Sequence, residues 1–235
     1  MGDQRTIYLG EIPLTVFRKN IKNVNLSVHP PAGNVRISAP RRMKMEAIRV
    51  FALSKLGWIE KQQRRIRAQH REAPRKYVNQ EVHYLWGQRY PLEIVEKNAT
   101  PHLNFSHDQM LLQVRPGSDA LEKQAIMEKA YRQQLKDAIP PLIAKWEPRM
   151  GVNVADFKIR KMKTKWGSCT PTLRTIRFSL ELAKKPPECL EYVVVHEMVH
   201  LLEASHNSRF KAFMDQFMPQ WKFHKEMLNR LPISG

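Results

Sequence analysis

The stretch Val193-Val194-Val195-His196-Glu197-Met198-Val199-His200, followed six residues later by His206, constrains this chain more than any other. Read as a helix, it sets His196 and His200 four apart on one face, where two imidazole nitrogens can reach a single metal ion. Zinc in such a setting takes three protein ligands and leaves its fourth position to water, and Glu197 is placed to take that water's proton. The preceding Leu190-Glu191-Tyr192 and the three valines are largely apolar, so the histidines belong in or beside a core, where an unpaired polar ring is costly. Tyr192, Val195, Val199 and Leu202, spaced three, four and three, offer a separate face for the helix to bury. The competing reading is a structurally satisfied histidine pair. The apolar surroundings favour a metal and, with it, metal-assisted hydrolysis using Glu197 as general base.

The third ligand has two candidates. His206 can swing back to the metal if the helix ends near Glu203 and a short turn follows. Astacin-like and related metzincin proteases share this six-residue offset but place glycine three after the second histidine, where the chain turns. Here that position is Glu203, which argues against a metzincin. A thermolysin-like arrangement would draw a glutamate from a later helix, and Glu226 is the one available. Three imidazoles suit zinc, one ion per chain, better than magnesium or calcium.

Forty basic against 22 acidic side chains give a net charge of +18, a field that attracts polyanions. Nucleotides, acidic protein segments and nucleic acid are therefore candidate partners beside a peptide or protein substrate. The densest basic run is Lys61, Arg64, Arg65, Arg67, Arg71, Arg75 and Lys76. It reads as a solvated helix face or a phosphate-binding stripe. Only Cys169 and Cys189 are present, which excludes a disulfide framework and points to a reducing cytoplasm. No apolar run is long enough to cross a bilayer, so no membrane partner is expected.

The first third reads as strands followed by a helix. Ile7 to Leu9 and Leu14 to Phe17 are short strands, and residues 24–28 and 35–39 alternate on either side of a Pro30-Pro31-Ala32-Gly33-Asn34 turn as a hairpin. Ile48, Ala52, Leu56, Ile59 and Ile66 mark an amphipathic helix over about residues 44–69, weakened at Gly57. Further strands at 82–86, 90–95 and 110–114 suggest a meander. Asp119 and Glu122 form a capping pair for a long helix, which Pro140-Pro141 should kink or break. Phe157 to Arg160 and Ile176 to Leu180 are strands linked by a loop that could line the cleft. Asn207 or Ser208 caps the next helix, and Trp221 to Leu231 suggest a last one. No repeat or low-complexity tract is evident. The expected organisation is a basic β-rich region with one long helix over 1–117, followed by a metallohydrolase domain over 118–235.

Lys163-Thr164-Lys165-Trp166-Gly167-Ser168-Cys169, the Tyr192 to His200 stretch, His206-Asn207-Ser208-Arg209-Phe210 and Pro219-Gln220-Trp221 together resemble the YgjP-like metallopeptidase family. The histidine spacing is also similar to that of SprT-like and Wss1-like proteases. The resemblance implies a zincin-like α+β catalytic domain with an active-site helix and a small antiparallel sheet. It also implies zinc bound by His196, His200 and His206, Glu197 as catalytic base, and peptide-bond hydrolysis. Two other classes stay open. One is metal-dependent hydrolysis of a nucleoside triphosphate phosphoanhydride, as a pyrophosphatase, which Lys163, Lys165, Arg160 and Arg177 near the cleft would suit. The other is a non-enzymatic nucleic-acid-binding module. For the oxyanion, Tyr192 and Lys165 are the available donors.

Overall fold

The computed structural model describes residues 4–29, 32–68, 71–72, 75–162, 164–230 and 233–234. Pro30, Pro31, Lys163 and Leu231, and the side chains of Arg65, Arg67 and Arg71, lie outside this description. The chain is α+β and divides into two compact units, Met1–Arg71 and Glu72–Ser234.

In the first unit, β1 (Gln4–Leu9), β2 (Ile12–Lys19), β3 (Asn25–His29) and β4 (Asn34–Pro40) form a sheet in the order β1-β2-β4-β3. Two antiparallel hairpins meet along a parallel β2–β4 seam, with Leu14 opposite Val35 and Val16 opposite Ile37. Alternation puts Leu14, Val16, Val35, Ile37 and Ala39 on one face, packed with Ile48, Ala52 and Ile59 from α1 (Met45–Ser54) and α2 (Leu56–Ala68). The sequence reads as one helix here, but the break falls at Lys55, whose φ and ψ of −109° and 7° leave the helical region, and not at Gly57. Gln63 ties α2 to the sheet by donating to the Gly33 carbonyl at 2.9 Å.

The second unit repeats that strand plan. β5 (Val82–Leu85), β6 (Gln88–Glu96), β7 (His102–Phe105) and β8 (Met110–Val114) lie in the order β5-β6-β8-β7, again two hairpins joined by a parallel seam, with Leu92 opposite Met110. The expected meander is therefore incorrect. It omitted β7, whose polar His102 and Asn104 leave only Leu103 and Phe105 as apolar markers. The first sheet is followed by two helices and the second by one, so the four-strand plan occurs twice although the sequence shows no repeat.

Buried Leu92, Leu103, Met110, Leu112 and Val114 share a core with Met127, Tyr131, Leu135 and Ile139 of α3 (Ala120–Met150). The sheet over 82–114 thus packs with the helix that follows it, and the compact units separate near residue 71 where the sequence suggests 117. Asp119 and Glu122 form the anticipated capping box. Of the two outcomes expected at Pro140 and Pro141, a kink or a break, the break does not occur, and α3 runs on to Met150. Both prolines are exposed, so the carbonyls of Lys136 and Asp137 that lose their donors can turn to water.

A three-stranded sheet completes the frame: β9 (Asp156–Arg160), β10 (Gly167–Thr170) and β11 (Thr175–Ser179) in the order β9-β11-β10. β9 runs parallel to β11, and β10 antiparallel, so the sheet is mixed where a purely antiparallel one was expected. Helix α4 (Pro187–Val199) packs against it, and α5 (Ser208–Phe217) and α6 (Trp221–Arg230) pack on α4.

Candidate metal centre

Helix α4 is fixed before any ligand is considered. Proline at its first position suits a turn whose N–H would have no helical partner. The Glu191 carboxylate accepts from the Trp146 indole at 2.9 Å and from Lys145 at 2.6 Å, tying α4 to α3. Tyr192 to Val195 and Glu197 to Val199 are all buried, so the helix is enclosed on every side and not along one separate apolar face. It ends at Val199, four residues before Glu203, and His200 is its C-terminal cap with near-helical φ and ψ of −64° and −15°. Both histidines still share one face.

The return to His206 is built without glycine. None of Leu201 to His206 has a positive φ, so the glycine of the metzincin pattern is not needed and Glu203 is tolerated. The Glu203 carboxylate accepts from Ser205 N–H at 3.2 Å and Ser205 Oγ at 3.0 Å, closing the turn. Asn207 then caps α5 by accepting from Phe210 N–H at 3.0 Å. Phe210, named in sequence only as the end of the His206-Asn207-Ser208-Arg209-Phe210 segment, has its ring 4.7 to 5.0 Å from all three imidazoles and packs against each of them.

His196, His200 and His206 each present a ring nitrogen, and these atoms lie within 4.8 Å of one another. They form the only such His, Cys, Asp or Glu group among the described residues. Glu226, the alternative ligand, is exposed and faces Arg230 at 3.4 Å. Nε2 of His206 and Nε2 of His196 face each other at 3.0 Å, while Nδ1 of His196 is buried with no partner. His200 Nδ1 is held by the Glu203 carbonyl at 3.1 Å, which directs its proton there and leaves Nε2 as a lone pair. Burial, aided by the neighbouring imidazoles, lowers the His196 pKa to about 3 and keeps that ring neutral. His200 and His206 are lowered too, in each case chiefly by burial. Three neutral nitrogen donors thus converge.

Glu197 is 5% exposed, its Oε2 has no hydrogen-bond partner, and burial pushes its pKa up to about 8 against the opposing pull of Lys165. Its other side is pressed on Gly167: a Cβ there would lie 2.6 Å from Oε1. This close approach of β10 to α4 is the feature that sequence reasoning missed, although Gly167 stands in the quoted Lys163 to Cys169 segment. Cys169, on the same strand face as Gly167, has its thiol pushed up to about 11 by burial and by Glu197. Tyr192 packs its ring 5.8 Å from that of His196, and its phenol is raised by burial and by Glu197. Lys165 acts electrostatically on Glu197, His200 and His206. Of the other basic residues expected at the cleft, Arg160 lies on the opposite edge strand and Arg177 donates to Thr170 Oγ1 at 3.3 Å.

A family model for the YgjP-like metallopeptidase domain matches residues 22–231. The chain belongs to this family. No curated protein sequence matches it. Among solved structures, the YgjP-like chain is similar to the metallopeptidase zymogen of abylysin from Pyrococcus abyssi, with 18% identity, 40% of this chain and 99% of that one covered, and a TM-score of 0.37. The jannalysin zymogen of Methanocaldococcus jannaschii gives 18% identity, 40% and 92% coverage, and a TM-score of 0.33. Membership makes this YgjP-like protein a hydrolase of the metallopeptidase class, acting on peptide substrates with a metal. The residues present fit such an ion: three imidazoles bring ring nitrogens within 4.8 Å of one another, and Nε2 of His196 and Nε2 of His206 face each other at 3.0 Å, a donor set of the kind zinc takes. Among the described residues no helix is long and apolar enough to cross a membrane.

Proposed function

We propose that the protein is a zinc-dependent peptidase in which His196, His200 and His206 hold one zinc ion and Glu197 is the general base. The observation that carries this reading is the buried Glu197 carboxylate, one residue from His196, with one oxygen unpartnered and the other closely packed on Gly167. A zinc ion, when bound, supplies a Lewis acid that polarises a carbonyl and acidifies water. The protein's own groups do the rest. Glu197 takes the proton of the attacking water and delivers it to the leaving amine. Burial raises its proton affinity, which favours the step in which it accepts the proton of the water. The Tyr192 hydroxyl, kept protonated by burial, and the Lys165 ammonium are the donors available to the developing oxyanion. Strand β10 is an edge strand beside α4, so an extended substrate can pair with it and be brought to Glu197.

Glu197→Gln tests the assignment, because it removes the base while sparing every proposed ligand. Zinc content should remain at one per chain, and turnover of a chelator-sensitive peptide should fall by about 10²- to 10⁴-fold. Wild-type turnover in Glu197→Gln would refute the role of Glu197. Absence of zinc binding after reconstitution, with His206→Ala no different from wild type, would refute the metal assignment.

A further inference from the structure

Strands β9 and β10 are opposite edges of the three-stranded sheet, two strand spacings or about 10 Å apart. While β10 abuts Glu197, β9 borders a different cavity, open to solvent and of about 390 Å³, lined by Arg132, Lys136, Phe157, Lys158, Ile159 and Arg160. That volume lies in the lower range of small-molecule sites. Four of the six lining residues are cationic, and no carboxylate is among them. Lys158 leans towards Asp156 at 3.7 Å, but both side chains are more than half exposed, so the pairing neutralises it weakly. The next base along, Lys161, is engaged by Glu128 and does not line the cavity. Lys136 and Arg160 have no ion-pair partner among the described residues.

Arg132 narrows the class of ligand. Its Nη1 donates to the carbonyl of Ile159, which steadies the guanidinium at the cavity wall and leaves its other N–H groups free. The same bond occupies an edge-strand carbonyl that an added peptide strand would require, so recognition falls to side chains and not to backbone pairing. A single-stranded nucleic acid would need successive stacking platforms. The cavity has one aromatic ring, Phe157, which is half-buried and packed edge-on against Phe178 at 6.3 Å. What fits is a compact anion with several oxygens, met by cations from a helix wall and a strand wall.

We propose that this cavity binds a phosphate-bearing small molecule of about nucleotide size through Arg132, Lys136 and Arg160. The site lies apart from Glu197 and the three histidines and does not depend on the metallopeptidase reading.

The test is titration calorimetry of the full-length protein with inorganic pyrophosphate, adenosine monophosphate and, as a polymer control, an oligothymidylate. At least one small probe should bind with Kd below roughly 100 μM, a free energy beyond about −5.4 kcal/mol. Lys136→Glu and Arg160→Glu, both at exposed positions, should each weaken that binding by at least about tenfold. Arg49→Glu, the same charge change on an exposed residue that does not line the cavity, should leave it within about twofold. His200→Ala should bind the probe as wild type does, assigning it to this cavity and not to the metal centre. Overturning results are no small-probe binding, equal loss in Arg49→Glu, loss in His200→Ala, or binding confined to the oligothymidylate.

Discussion

Gly167→Ala should disable Glu197, the proposed base, without touching a proposed metal ligand. A Cβ at Gly167 would sit 2.6 Å from Glu197 Oε1, 2.7 Å from its Cγ and 2.9 Å from its Cδ. Carbon contacts are comfortable only from about 3.5 Å, so the side chain must retreat by roughly 1 Å. Rotation of the carboxylate alone does not relieve the clash, since Cγ is among the atoms struck. Nor can the strand readily yield. Gly167 is paired with fully buried Phe178, and the neighbouring Trp166 carbonyl accepts from Ser179 N–H at 2.8 Å. Displacement of a reacting group by 1 Å costs about 10²-fold in rate, equivalent to about 2.7 kcal/mol of barrier. Gly167 has no positive φ, so the backbone adds no strain of its own, and the stability loss should be the about 1–3 kcal/mol of a crowded core. The assay is kcat on a chelator-sensitive peptide, read with metal content and the thermal midpoint. A folded, metal-loaded Gly167→Ala whose kcat stays within about threefold of wild type would show that Glu197 does not need its present position, and the reasoning would fail.

Two further substitutions test how the site is supported. Asn207→Ala removes the cap of α5 and should cost about 1 kcal/mol, while loosening the packing of Phe210 on the imidazoles so that a chelator strips the metal faster. Unchanged stability and unchanged metal-release rate would contradict that coupling. Gly87→Ala meets a φ of +82° and a Cβ 2.9 Å from Pro186 Cγ, at the N-terminal cap of α4. It should lower stability by at least about 1–2 kcal/mol in denaturant titration, and a neutral result would mean the turn and α4 are not in firm contact.

How much of the fold was legible depended on how far apart the partners lie in sequence. Alternation exposed β1 to β4, because Ile7, Leu14, Val16, Val35 and Ile37 each sit one apart from polar neighbours. The parallel seams β2–β4 and β6–β8 leave no such trace, since pairing Leu92 with Met110 is decided by what both bury against α3. Pro140 and Pro141 leave α3 unbroken for a similar reason. Their cost depends on whether the abandoned carbonyls are exposed, which is a tertiary fact.

At the metal centre the three histidines were legible because a helix converts sequence spacing into a fixed direction, and His196 and His200 keep that relation even at the end of α4. His206 required a turn, whose chemistry is local too: Glu203 closes it on Ser205, and Asn207 stops it by opening α5. The unread part is what surrounds these groups. Phe210 reaches the imidazoles from a later helix, and Gly167 reaches Glu197 from a strand thirty residues earlier. Neither has a side chain that advertises chemistry. Yet the second decides whether the buried Glu197 carboxyl can keep its place beside His196 with one oxygen unpartnered, because any larger residue at 167 would fill the volume that Glu197 occupies. The Lys165-Trp166-Gly167 segment therefore joins two roles within three residues: a charge that acts on the site and an absence of side chain that gives Glu197, the proposed base, its place.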